Sequence, residues 1–306
     1  MPEIQKVAIL GAGAMGAYFA TRFFDTPGFS TVLIATGERH EKLKTDGIVV
    51  NEQPYFIPAV SPEEADSPAD LIIVALKHQH LKEAVRDLGK LVGDSTTFLS
   101  VMNGVESEET IGAIYGMEKI VYAISVGIDA LRAGNRITYT KPGKHYFGEA
   151  QNLTISPKVR RIQQAFDRAG ISYATPPDMI RMLWWKFMVN VGVNQASAVL
   201  HAPYGIFQSN HEAQELMEAL MQEAVTLAQA LNVNLTQQDI KEWQPVLNQL
   251  SPQGKTSMLQ DIEAQRKTEV EIFGGKAIEL GQVHGIPTPV NQTIVQIIHI
   301  LEQNFQ

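Results

Sequence analysis

Lys186, Asn190 and Asn194 recur every four residues within L-W-W-K-F-M-V-N-V-G-V-N, residues 183–194. On an α-helix, at about 100° per residue, the three fall within about 80° of one another on one face. Around them stand Trp184, Trp185, Phe187, Met188, Val189, Val191 and Val193. A helix that is apolar nearly all round is normally buried, and an ammonium with two amides placed inside it needs partners or a ligand. Two readings follow. In one, the lysine snorkels to solvent above two internally satisfied amides. In the other, the cation protonates a carbonyl oxygen: hydride addition to a ketone develops alkoxide charge, and a cation held within hydrogen-bonding reach lowers that barrier. Apolar surroundings would bring the lysine pKa down towards working pH.

A second cluster lies in S-M-L-Q-D-I-E-A-Q-R-K-T-E, residues 257–269. The pattern predicts one long helix over 257–283. On it Ser257 and Asp261 share a face, and Glu269 stands about 80° further round and two turns along. The plainer alternative is a solvated face with i,i+4 pairs such as Glu263–Lys267.

A hydride donor is implied at the other end of the chain. Residues 7–10 read as a short buried strand, residues 17–24 as a helix, and between them runs Gly11-Ala12-Gly13-Ala14-Met15-Gly16. This is G-x-G-x-x-G in the strand–turn–helix setting that dinucleotide binding requires. Gly11 permits the tight turn, Gly13 lets backbone approach a pyrophosphate, and Gly16 lets helix pack on strand. The helix N-terminus adds amide donors and a positive dipole end.

Further strands are expected at 31–35, 71–76 and 97–102. Ligands in open α/β sheets sit beyond the carboxyl ends of strands, where Thr36, Lys77 and Asn103 stand beside Gly11. An NAD site usually has an acid after the second strand. Here Ala35-Thr36-Gly37 occupies that place, and Arg39, His40, Lys42 and Lys44 follow with charge suited to a 2′-phosphate. NADP is therefore favoured, with NAD left open. Runs 121–128 and 136–140, with turn signals at Gly134-Asn135 and Pro142-Gly143, suggest an antiparallel extension of the sheet. A helix over 158–169 and a strand over 171–174 complete the first half.

After Pro176-Pro177 the periodicity is helical, with helices expected at 180–199, 212–231, 238–250 in broken form, 257–283 and 290–303. The predicted fold is α/β: an N-terminal Rossmann-type dinucleotide-binding domain, 1–177, then an all-α substrate and catalytic domain, 178–306.

Composition narrows the function classes. The chain has 306 residues, 44% hydrophobic and 19% charged, with no low-complexity tract, so two globular domains are expected. A formal charge of −8 argues against a nucleic-acid or anionic-membrane partner. The absence of cysteine excludes disulfides, thiolate catalysis and cysteine zinc sites. The histidines form no H-E-x-x-H pattern, and His78-Gln79-His80 suits a solvated helix start, so no metal is expected. No secretory pattern and no apolar run of membrane-spanning length is found, which points to a cytoplasmic protein.

Over essentially its whole length the chain resembles the ketopantoate reductases (2-dehydropantoate 2-reductases). The matching pieces are GAGAMG at 11–16, Leu76-Lys77, Asn103-Gly104, K-x3-N-x3-N at 186–194 and S-M-x-x-D-x7-E at 257–269. The resemblance implies reduction of 2-dehydropantoate to D-pantoate with NADPH, in the pathway to pantothenate and coenzyme A. It implies Lys186 as general acid and Glu269 as the residue orienting the substrate hydroxyl. Asn190 and Asn194 would contact the substrate, Ser257 its carboxylate, Asn103 substrate and cofactor, and Lys77 the cofactor. Asp261 matches a frequent family position near the substrate. The chain departs from the family pattern just after the second strand, where many members carry arginine and this chain has Ala35-Thr36-Gly37 with Arg39 as a substitute, and at Met102, where many carry glutamine. A paralogue reducing another 2-oxoacid, and a dinucleotide-binding sensor on the same fold, are the competing readings. Monomer and homodimer are both compatible with the pattern.

Overall fold

The computed structural model describes residues 2–86 and 88–305. The chain forms two compact units, Met1–Ile180 and Arg181–Gln306.

The first unit is built on an eight-stranded sheet. Its strands are β1 (Lys6–Leu10), β2 (Ser30–Ile34), β5 (Ala59–Val60), β6 (Leu71–Val74), β7 (Thr97–Ser100), β8 (Ile120–Ile128), β11 (Pro142–Gly148) and β12 (Tyr173–Ala174). The order is β5-β2-β1-β6-β7-β8-β11-β12. From β5 to β8 every pairing is parallel, β8 and β11 run antiparallel, and β11 and β12 run parallel. Strand alternation feeds two apolar layers. Val7, Ile9, Leu71 and Ile73 join Phe19, Phe23 and Phe166 of helices Ala14–Phe24 and Pro157–Ala169 on one face. Ala8, Leu10, Ile72 and Val74 join Leu81 and Ile111 on the other. A parallel sheet covered on both faces is the Rossmann-type arrangement expected from the sequence.

One expectation fails here. The run 136–140 does not extend the main sheet. It forms β10 (Arg136–Thr138) in a separate four-stranded sheet with β3 (Ile48–Val50), β4 (Gln53–Tyr55) and β9 (Leu131–Ala133), ordered β4-β3-β10-β9. The partner of β8 is β11, whose first residues, Pro142-Gly143, read as a turn in the sequence. Proline is tolerated as the first residue of a strand because the donor it lacks is not yet needed there.

The second unit is helical, with two departures from the expected helices. Residues 180–199 are not one regular α-helix: helix Met179–Val189 passes into a π-turn, Asn190–Asn194, and resumes as Gln195–Leu200. The expected helix over 257–283 breaks into Ser257–Glu263, a 3₁₀ turn Val270–Ile272 and Gly274–His284. The first piece ends in a Schellman motif, with Arg266 N bonded to Asp261 O at 2.8 Å, Gln265 N to Ile262 O at 3.0 Å, and Gln265 left-handed at φ +50°. That position is normally glycine, so periodicity alone carried the helix past it. Glu263 pairs with Lys255 at 2.8 Å. Helix Tyr204–Ser209 lies outside the expected helices. Helices His211–Ala230, Gln237–Leu247 and Pro289–Gln303 lie where the pattern puts them.

Candidate active site

In the first unit the carboxyl ends of the adjacent parallel strands β2, β1, β6 and β7 lead directly into Thr36, Gly11, Lys77 and Asn103. Gly11 has φ +105°, and a Cβ there would lie 2.6 Å from the Ala75 carbonyl. At Gly16 a Cβ would fall onto the Gly11 carbonyl, whereas at Gly13 the nearest atom would be 3.9 Å away. The turn is thus tight at Gly11 and Gly16, and open at Gly13. Gly13 caps helix Ala14–Phe24 without any side-chain hydrogen bond. The first-turn amides of Ala14, Met15 and Gly16 are therefore presented without a side-chain cap, as a pyrophosphate would need. Ala12 is buried in the turn, and its carbonyl accepts from Arg39 Nη2 at 3.0 Å. Arg39, the first basic residue after β2, thereby reaches the glycine turn, and burial lowers its guanidinium pKa from the usual value. Thr36 caps helix Gly37–Asp46 through backbone alone. These residues fit a dinucleotide.

Asn103 is half-buried beyond β7, before Gly104 at φ +92°. A buried acid follows Asn103 in the chain, at the start of helix Ser107–Tyr115. Glu108 is buried and accepts from Ser107 Oγ at 2.8 Å, and Ser107 Oγ lies 2.7 Å from Ser100 Oγ at the end of β7. Burial raises its carboxyl to about 7, opposed by the hydrogen bonds it receives. Only its position in a first helical turn was visible in sequence, and that normally signals a solvated acid.

In the second unit Lys186 is half-buried on helix Met179–Val189. Desolvation lowers its ammonium to about 8, and the nearby Glu269 carboxylate opposes that shift. Asn190 and Asn194 are buried in the π-turn, where Asn194 Nδ2 donates to Asn190 Oδ1 at 3.1 Å. A regular 100° step no longer applies there, yet the two amides still meet. Asn190 Nδ2 is a buried donor with no hydrogen-bond partner among the described residues, which disfavours a purely internal role. π-turns recur at functional sites, and this one is secured from behind. Gln195 Nε2 donates to Val191 O at 2.7 Å and to Asn291 Oδ1 at 2.9 Å. A Cβ on Gly192 would collide with Met221.

Ser257 opens its helix and is exposed, one residue after the N-cap Thr256. Thr256 Oγ1 accepts from Leu259 N at 3.1 Å and donates to Ser197 Oγ at 3.1 Å, which fixes that helix start to the segment after the π-turn. Thr256 was legible as a cap of the usual type. Asp261 is buried and pairs with Arg266 Nε at 3.0 Å across the Schellman ending. Glu269 is half-buried and opens the 3₁₀ turn. Because the long helix breaks, Glu269 is brought to Lys186 from a turn and not from a shared helical face with Ser257. Among the described residues no group of histidine, aspartate and glutamate is arranged to hold a metal ion, and no helix is long and apolar enough to cross a membrane.

This arrangement matches a known family in both units. Residues 7–152 match the model of the ketopantoate reductase PanE/ApbA family, and residues 178–302 match that of its C-terminal domain. The chain belongs to the ketopantoate reductase family. Ketopantoate reductases are pyridine-nucleotide-dependent oxidoreductases, and curated members align with the chain end to end. The 2-dehydropantoate 2-reductase of Streptococcus pyogenes serotype M6 is 25% identical over 306 residues, covering 97% of each chain. That of Aquifex aeolicus is 24% identical over 305 residues, covering 98% of this chain and 97% of the relative. Among solved structures, D-mandelate dehydrogenase with NADH and anilino(oxo)acetate superposes with a TM-score of 0.87 at 22% identity, covering 98% and 99% of the two chains. A dimeric ketopantoate reductase from Staphylococcus aureus superposes with a TM-score of 0.78 at 22% identity, covering 98% and 100%. These two likenesses show a shared fold.

Proposed function

We propose that the protein reduces the ketone of 2-dehydropantoate to the alcohol of D-pantoate, with NADPH as hydride source. The observation that carries this reading is the Lys186 ammonium, lowered to about 8 by burial, with the Glu269 carboxylate near it. A lysine so tuned is charged at neutral pH and still able to release its proton. The nicotinamide would supply a hydride to the carbonyl carbon. Lys186 donates the proton that completes the alcohol, and Glu269 orients the substrate through its hydroxyl. Asn190 and Asn194 hold the substrate, Ser257 its carboxylate, and Asn103 both substrate and cofactor. Asp261, engaged with Arg266, supports that region. The turn 11–16, Thr36 and Lys77 bind the dinucleotide, and Arg39, held against Ala12, meets the 2′-phosphate. The enzyme would act in the cytoplasm on a small 2-oxoacid, as a monomer or homodimer.

A second reading is supported by one specific observation. No charged residue stands at Ala35-Thr36-Gly37, and the D-mandelate dehydrogenase structures contain NADH. An NADH-dependent reductase of a bulkier 2-oxoacid fits that pairing. One experiment separates the two. Absorbance loss is followed with NADPH and NADH side by side, offering ketopantoate and the 2-oxoacid of mandelate. The first reading expects kcat/KM with NADPH and ketopantoate to exceed the other three combinations by at least about tenfold. Preference for NADH with the aromatic acid would replace it with the second.

A further inference from the structure

The segment carrying Glu269 lies between two helices and is held by a residue far from it in sequence. Thr268 N and Thr268 Oγ1 both donate to Glu302 Oε1, at 2.8 and 2.6 Å. With its proton committed to Glu302, the Thr268 hydroxyl accepts from Val270 N at 3.2 Å. The residues on either side of Glu269 are thus tied, one directly and one through the hydroxyl, to a single carboxylate oxygen. Thr268 is 6% exposed, so water competes little for these bonds.

Glu302 itself stands next to the last residue of helix Pro289–Gln303, whose last turn has no basic side chain. A carboxylate there faces the negative end of the helix dipole and is disfavoured. The two donors from Thr268 offset that. The lysine Lys267 and the imidazole of His299 line the same hollow as Glu302. His299 pairs with Glu271 at 3.0 Å, and Arg266 with Asp261. These pairs tether the segment at its two ends, at residues 266 and 271. The Glu302 bonds, by contrast, bracket Glu269 on both sides.

We propose that Glu302 is a positioning residue that sets the place of the Glu269 carboxylate through Thr268. The proposal rests on the reading of Glu269 as the residue that orients substrate. Its consequence reaches Lys186: a displaced Glu269 no longer favours the charged ammonium, so Lys186 loses its proton at lower pH.

The test compares E302A, E302Q, T268V and E269Q by kcat, KM, the basic limb of the kcat–pH profile, and thermal unfolding. E302A removes the acceptor, and kcat should fall about 10–100-fold, as for displacement of a catalytic group by about an ångström, with the basic limb moved to lower pH. E302Q keeps an amide oxygen able to accept both bonds and should restore kcat to within about twofold, with the limb in place. T268V keeps the backbone bond, loses the hydroxyl bracket and should fall between; it carries the test if E302A does not fold. The double variant E269Q/E302A should be little more impaired than E269Q alone. A folded E302A with lowered Tm but wild-type kcat and basic limb would reduce Glu302 to a staple and overturn the proposal. So would an E302Q as impaired as E302A. Wild-type turnover in E269Q would instead overturn the underlying reading of Glu269.

Discussion

The dinucleotide turn at residues 11–16 and the proton-donor region around Lys186 both depend on departures from regular backbone geometry, encoded in different ways. At the turn, Gly11 lies at positive φ, and the Gly16 Cα approaches the Gly11 carbonyl so closely that a methyl would collide. Each departure is announced by glycine, the residue that tolerates it. In the helical unit the Schellman ending at Gln265 has no such marker, and the glycine inside the π-turn Asn190–Asn194, Gly192, keeps an ordinary φ and answers to packing against Met221. They are held by distant partners: Asn291 for Gln195 behind the π-turn, Ser197 for Thr256, and Glu302 for Thr268. Locally encoded geometry survives changes elsewhere in the fold, whereas geometry imposed by tertiary contacts fails with any of its supports. Each half also carries a desolvated titratable group, Glu108 in the first and Lys186 in the second.

The largest effect is expected at Lys186. Lys186→Ala should lower kcat by at least about 10²-fold while NADPH affinity, measured by fluorescence titration, stays within about twofold. Turnover near wild type would leave Lys186 a snorkelling lysine. In the unaltered enzyme kcat should be level below pH 8 and fall as pH rises through about 8, because the proton donor is lost as Lys186 deprotonates.

At Glu108 the shift runs the other way, and so does its readout. The folded carboxyl titrates at about 7 and the unfolded one at about 4.5, so the unfolded state releases its proton first as pH rises. Stability contributed by the neutral buried acid is complete below 4.5 and is lost between 4.5 and 7, by up to about 3 kcal/mol. Urea unfolding at pH 5 and pH 8 should show this loss, and Glu108→Gln should flatten it. An identical pH dependence in the glutamine variant would place the effect elsewhere.

Within the turn, Gly16→Ala and Gly13→Ala should part company. The first overpacks against the Gly11 carbonyl and should cost about 1–3 kcal/mol of stability. The second has room for its methyl and should leave stability nearly unchanged while weakening dinucleotide binding. Equal melting temperatures for the two variants would contradict the local encoding of this turn. The smallest expected effect lies at Gln265, where glycine relieves a left-handed backbone. Gln265→Gly should stabilise the helical unit by about 1 kcal/mol, read from the shift in denaturant midpoint, and no gain would mean the strain is already offset.

The sequence by itself determined the layered first unit, its glycine turn, and the types of residue that could serve a ketone reduction. Strand alternation, glycine and the spacing of Lys186, Asn190 and Asn194 are short-range signals that act through steric limits within a few residues. Tertiary structure decided which strand continues the main sheet beyond β8, because β8 pairs with β11 and not with the run at 136–138. It also decided that Glu269 meets Lys186 from a 3₁₀ turn, that Arg39 reaches the glycine turn, and that Glu302 holds Thr268. Each of these depends on which surfaces are buried together, and burial sets both the partners and the pKa shifts. No window of the sequence a few residues wide contains that information.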